Sequence, residues 1–274
     1  MDEDLTILAG GSAESIYDTS ITDAEIVFTL VFNEVIKNSN ERFKLKIVAT
    51  DQDLATNLIS GQLDAIFTNT LHYLKLEEFL NPTACYVVQH GPELKSHYYL
   101  LVRRDSGIEH LSQLKNKKIS IPYGHAVGQR FLDVELLKDN LPVSEIFFSD
   151  IRKTRESNSS VINLFFGKVD AALITDFSFK VASELNPQIE KELSVIERSG
   201  PFVYQIVALR HDFPQSRVNK IEPHVLNINK SPRLVELFKT FRMNSLQKAD
   251  SETLKEVRSL NQKYLELLTT GSKQ

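Results

Sequence analysis

Residues 61–73 read GQLDAIFTNTLHY, and residues 167–179 read GKVDAALITDFSF, 106 positions later (167 − 61). Both runs open on Gly-x-x-Asp-Ala, pass through a short apolar stretch and close on polar residues and an aromatic ring. In each case the glycine follows a run with helical spacing, DQDLATNLIS (51–60) and SSVINLFF (159–166). Glycine ends a helix there because it enters the left-handed region without a Cβ clash. LDAIFT (63–68) and VDAALI (169–174) then read as buried strands. A chain that writes a helix–Gly–strand unit twice is constrained toward two similar α/β halves.

The flanking segments fit this plan. LTILA (5–9) and FKLKIVAT (43–50) read as strands around a helix over 24–39, with Thr22 or Asp23 available as its cap. Alternating helices and buried strands imply parallel βαβ units. SHYYLLVRRD (96–105) and FVYQIVALRHD (202–212) read as strands that cross from one half to the other and back. The expected division is residues 1–100 with 207–274 in lobe 1 and residues 101–206 in lobe 2. Two amphipathic helices, 231–246 and 251–268, are expected to pack on lobe 1.

Composition removes several function classes. The net charge of −4 and scattered Lys and Arg give no basic stripe for nucleic acid. No apolar run approaches the roughly 20 residues of a membrane span. Cys85 is the only cysteine, so an intrachain disulfide is excluded. No zinc spacing, nucleotide-binding glycine pattern or Gly-x-Ser-x-Gly elbow is present. No metal or cofactor is therefore expected. The start MDEDLTILAG has neither a basic nor an apolar leader region, which leaves a cytosolic protein or a trimmed exported one.

Ligands of open parallel sheets bind beyond the carboxyl ends of the strands. The repeated strands end in TNTLHY (68–73) and ITDFSF (174–179). Asn69, Thr70 and Tyr73 from one copy, with Thr175 and Asp176 from the other, are expected to line one central cleft between the lobes. Gly11 and Ser12, after the first strand, allow close backbone approach, and Tyr17 is a candidate wall. The segment KISIPYGHAVG (118–128) brings Tyr123, His125, Ala126 and Val127 to a strand end and a helix start, where free N–H groups make an anion site.

Four stretches taken together resemble the type 2 periplasmic solute-binding proteins, specifically the phosphate/phosphite/phosphonate-binding branch of ABC importers. They are residues 50–73, YYLLVRRDSGIEHLSQLKNKKISIP (98–122), SNSSVINLFFGKVDAALITD (157–176) and ERSGPFVYQIVALRHDFP (197–214). The resemblance implies a two-lobed α/β fold whose lobes are joined by two crossing strands and close about them by hinge motion. It also implies an ABC permease as partner and a periplasmic or cell-surface location for a monomer. Where the family carries Ser-Thr-Ser-Gly, this chain has His125-Ala126-Val127-Gly128, and a family histidine aligns with Asn158. With the hydroxyls gone, backbone amides and His125 remain as donors.

Binding of a small oxyanion or polar organic solute for delivery to an importer is the function expected. Two alternatives use the same scaffold. One is ligand sensing for a receptor kinase or cyclase. The other is a biosynthetic enzyme or lyase, with His125 or Asp176 as acid or base.

Overall fold

The computed structural model describes residues 5–16, 20–239 and 243–271, so Tyr17 lies outside the described residues. In chain order the elements begin with β1 (Thr6–Ser12), α1 (Ile21–Ile36), β2 (Arg42–Val48), α2 (Asp51–Ile59), β3 (Ala65–Asn69), α3 (Thr70–Leu76) and β4 (Leu80–His90). They continue with β5 (Tyr98–Arg103), β6 (Lys118–Pro122), α4 (Ala126–Lys138), α5 (Ser144–Phe147), β7 (Asp150–Thr154), α6 (Ser157–Phe165) and β8 (Ala171–Thr175). The remainder is α7 (Asp176–Leu185), α8 (Gln188–Glu192), β9 (Leu193–Arg198), β10 (Gln205–Arg210), α9 (Gln215–Val225), α10 (Pro232–Lys239), β11 (Met243–Lys248) and α11 (Lys255–Gly271).

The chain divides into two compact units. Unit 1 comprises the residues up to Leu94 and Val203–Leu254, and unit 2 comprises Lys95–Phe202 and the residues from Lys255. Unit 1 has one sheet in the order β11-β4-β10-β3-β1-β2, and unit 2 has one in the order β7-β6-β8-β5-β9. In unit 1, β1 pairs in parallel with β2 and β3, and β10 is antiparallel to β3. Unit 2 repeats this arrangement, with β6 parallel to β7 and β8, and β5 antiparallel to β8. The expected mixed α/β class, with two units of similar strand order, is the one found.

The repeated motif has the same geometry in both units. Gly61 has φ 76° and Gly167 has φ 67°. Gly61 N–H donates to Leu58 O and Gln62 N–H to Asn57 O, closing a Schellman turn. Gly167 N–H to Leu164 O and Lys168 N–H to Asn163 O are their counterparts. The repeated aspartate locks the next strand to its neighbour. Asp64 N–H donates to Leu8 O at 2.8 Å while its carboxylate accepts Leu8 N–H at 2.9 Å. Asp170 does the same to Lys118, with both distances 2.8 Å.

The sheet of unit 1 is apolar on both faces, as a mainly buried sheet must be. Ala84, Tyr86 and Val88 of β4 join Phe28, Phe32 and Val218 on one side. Cys85 and Val87 join Leu54, Leu58 and Ile66 on the other. Burial pushes the Cys85 thiol up to about 11, so it is a core group and not a nucleophile.

Three features differ from the sequence expectation. Residues 231–246 are not one helix: α10 ends at Lys239, and Met243–Lys248 is strand β11, paired to β4. The unit boundaries fall at Leu94/Lys95 and Phe202/Val203, because β5 hydrogen-bonds within the second sheet and β10 within the first. Helix α11 belongs to unit 2, not to the first lobe. Its Tyr264 ring lies 3.6 Å from the Arg130 guanidinium of α4, and Asn261 accepts a hydrogen bond from Arg130 at 3.3 Å.

Candidate functional site

In unit 1 the carboxyl ends of β1 and β3 and the starts of α2 and α3 gather polar side chains around Asp51. The Ser12 hydroxyl, fully buried at the end of β1, donates to Asp51 Oδ1. Ser15 Oγ donates to the same oxygen at 3.4 Å. Asn69 Nδ2 reaches Ser15 Oγ at 3.3 Å and Asp51 Oδ2 at 3.4 Å. Asn69 is also the N-cap of α3, its Oδ1 accepting His72 N–H at 2.9 Å. His72 Nδ1 lies 3.0 Å from Thr68 Oγ1 and 3.8 Å from Asp51 Oδ2. Burial lowers the His72 pKa, and the Asp51 charge opposes that only in part, so the ring is neutral near pH 7.

A second layer holds this cluster in place. Gln205, at the start of β10, donates to Ser15 O at 3.2 Å, and its Oε1 lies 2.6 Å from His90 Nε2. The His90 ring stacks on Tyr204 with centroids 4.9 Å apart. Glu14 accepts Asp51 N–H at 2.9 Å, which places a second carboxylate at the same turn.

Unit 2 presents an equivalent end of its sheet. Thr175 is the N-cap of α7, as Asn69 is of α3, with Oγ1 accepting Ser178 N–H at 3.2 Å. Asp176 N–H donates to His97 O at 2.8 Å, matching Thr70 N–H to Tyr204 O at 3.1 Å. Beside β8, β6 ends at Pro122, and Tyr123 N–H donates to Thr154 O at 2.8 Å. His125 is the N-cap residue of α4 but makes no side-chain capping bond, and it is 2% exposed. Its ring meets the edge of Tyr98 at 5.5 Å. The Tyr98 ring also covers Gly128, where an added Cβ would lie 2.4 Å from Tyr98 Cδ1, so α4 can rest on β5 only with glycine there. Arg155 stands 5.4 Å from the Tyr123 ring centroid.

The sequence-derived residues divide by surroundings. Ser12 and Asn69 meet in the Asp51 cluster. Thr70 is buried, and its hydroxyl donates to Val203 O at 2.8 Å. Tyr73 is 3% exposed in the core with Leu54, Leu58 and Leu76. Gly11 is buried below Ile47, whose Cδ1 would lie 3.1 Å from an added Cβ. His125, Ala126 and Val127 stand together at the start of α4, with Val127 fully buried. Asn158 is half-buried in the first turn of α6. Asp176 accepts Phe177 N–H at 2.8 Å. Asp51, Ser15, His72 and Gln205 escaped the sequence reading. Acidic residues at a helix start read as dipole partners, and only the fold brings Ser15 and Gln205, 190 positions apart in sequence, together.

The family described as "ABC transporter, phosphonate, periplasmic substrate-binding protein" matches residues 26–254. The chain belongs to this family. Its members are binding proteins that serve ABC transporters from the periplasm. Solved structures share the fold at low identity. PhnD1 from Prochlorococcus marinus, in complex with methylphosphonate, has a TM-score of 0.70 at 14% identity, covering 95% of this chain and 98% of that one. A binding protein component of an ABC phosphonate transporter (PA3383) from Pseudomonas aeruginosa has 0.73 at 11%, covering 98% and 89%. XAC2383 from Xanthomonas citri, bound to ATP, has 0.73 at 13%, covering 96% and 98%. No curated protein matches the chain. Among the described residues, no helix is long and apolar enough to cross a membrane.

Proposed function

We propose that this family member captures a small polar solute at the carboxyl ends of its parallel strands and delivers it, as an extracytoplasmic monomer, to an ABC permease. It acts as a binder and not as an enzyme. The observation that carries this reading is the Asp51–Ser12–Ser15–Asn69–His72 cluster. It lies where open parallel sheets receive ligands, and its side chains are already oriented by one another. In unit 2, taken by itself, the start of α4 has no side chain capping it and offers backbone N–H donors of the kind that receive an anion. PhnD1 holds methylphosphonate, an anion that such backbone donors accommodate, but here they act without the family's hydroxyls.

The test is isothermal calorimetry on the purified protein with small phosphonates, sulfonates, phosphate esters and amino acids. One solute is expected to bind without turnover, and Asn69→Ala is expected to weaken it by about tenfold or more, the effect of roughly one lost polar contact. Consumption of the solute in long incubations would support the enzyme reading instead.

A further inference from the structure

A groove of about 540 Å3 runs along unit 1 between α1 and β2, lined by Ile26 and Leu30 from the helix and by Arg42, Phe43, Lys44 and Leu45 from the strand. That volume is within the range of about 300–1,000 Å3 usual for small-molecule sites. The groove reaches the first residue of β2, at the opposite end of the strand from the turn that leads to Asp51. We propose that it is a second binding site, for a single-chain amphiphile with an anionic head, a carboxylate or a phosphate. The inference is independent of the solute-binding reading above.

Its basis is what remains once the polar groups of the groove are accounted for. Glu25, Thr29 and Asn33 also border it, and each is committed to the edge of β2. The Glu25 carboxylate accepts Ile47 N–H at 2.6 Å, and Thr29 Oγ1 accepts Leu45 N–H at 3.1 Å. The Asn33 amide accepts Phe43 N–H at 2.8 Å and donates to Phe43 O at 2.7 Å. An extended peptide therefore meets strand N–H groups that are already taken, which disfavours pairing along this edge.

Apolar surface and positive charge are left. Ile26 and Leu30, one turn apart, are 55% and 64% exposed, while α1 buries Phe28, Val31 and Phe32 against the core. Phe43 and Leu45 continue the apolar lining from the strand side. Arg42 and Lys44 are exposed, and among the described residues neither is held in an ion pair. Against the one carboxylate of Glu25, which is fixed on Ile47 N–H, these two cations leave the groove net positive. An alkyl chain laid along Ile26, Leu30 and Phe43 takes apolar area out of water, and an anionic head beside Arg42 or Lys44 meets unpaired charge. A neutral head gains only the first of these, and a cationic head is repelled. A recess of this size takes one chain, whereas a flat bilayer touches only its lip.

Calorimetry on the full chain, with decyl probes below their critical micelle concentrations, tests this. Decanoate and decyl phosphate are expected to bind one per chain, at least about tenfold tighter than decyl maltoside or decyltrimethylammonium, as one charge contact provides. Butyrate, with the head but little chain, is expected to bind at least about a hundredfold more weakly than decanoate. Leu30→Asn is expected to weaken decanoate about tenfold. Arg42→Gln with Lys44→Gln is expected to bring decanoate within about threefold of decyl maltoside. Decyl maltoside binding as tightly as decanoate to the parent overturns the assignment. Decanoate affinity unchanged in both variants, or lost in Asn69→Ala, overturns it as well, by placing the amphiphile elsewhere. Co-sedimentation with phosphatidylglycerol vesicles without binding of free decanoate would make the occupant a bilayer and also overturn it. Silence from every decyl probe removes this site and leaves the result with phosphonates, sulfonates and amino acids standing.

Discussion

At the scale of single residues, the costliest commitment is the ion pair of Glu41 and Arg217. The Glu41 side chain is fully buried, and Oε2 accepts from Arg217 Nε at 2.9 Å and Nη2 at 2.6 Å. Its other oxygen has no hydrogen-bond partner. Removing the guanidinium would strand a buried carboxylate, so Arg217→Met is expected to cost about 3–5 kcal/mol in urea unfolding. Glu41→Gln with Arg217→Met should recover part of that; a double variant no more stable than the single one would contradict the argument. His72 gives a pH signature. Its folded pKa is depressed, so its contribution is complete above the unfolded value of about 6.5 and is lost as pH falls below that. The melting temperature should therefore drop less between about pH 7 and pH 5 in His72→Gln than in the parent. Parallel curves for the two proteins would show that His72 does not carry the effect. These commitments were only partly legible in the sequence. Gly61 and Gly167 announced themselves as helix stops, whereas the strand-locking role of Asp64 and Asp170 needs the neighbouring strand in view.

At the scale of elements, α1 solves a problem that β2 creates. β2 is an edge strand of unit 1, and a free edge invites pairing with other chains. Glu25 accepts Ile47 N–H at 2.6 Å, Thr29 accepts Leu45 N–H at 3.1 Å, and Asn33 both accepts Phe43 N–H at 2.8 Å and donates to Phe43 O at 2.7 Å. Four helical residues rise about 6 Å and two strand residues about 6.7 Å, so side chains at i, i+4 and i+8 keep step with alternate strand residues. Replacing Glu25, Thr29 and Asn33 together with alanine is expected to yield dimers or larger species in size-exclusion chromatography. A monodisperse triple variant would sink the idea. The helical stripe of α1 was readable because its apolar residues recur at helical spacing. β11 was not: MNSLQK has no β-branched residue, and its strand state comes from pairing with β4. β4 itself was hidden by Pro82 near its start.

At the scale of the whole molecule, each unit is built from two separate stretches of chain. The sequence repeat made the doubling legible, and the strand orders β2-β1-β3-β10-β4 and β7-β6-β8-β5-β9 bear it out, with β11 an additional edge strand in unit 1 alone. The membership of α11 was not legible, because an amphipathic helix declares that it packs but not on what. It docks through Arg130, Asn261 and Tyr264. Arg130→Ala is therefore expected to loosen α11, seen as faster amide exchange over residues 255–271 than in the parent, with exchange in β1 and β3 unchanged. Equal protection of α11 in both proteins would refute that docking role.

The ordering of these stretches has a consequence during synthesis. Unit 1 cannot complete its sheet until β10 and β11 leave the ribosome, and α4 waits still longer for α11, which follows both in the chain. Both halves of the nascent chain therefore stay unfinished, with apolar strands uncovered, until those late segments have emerged, which is the interval in which a chaperone has most to do.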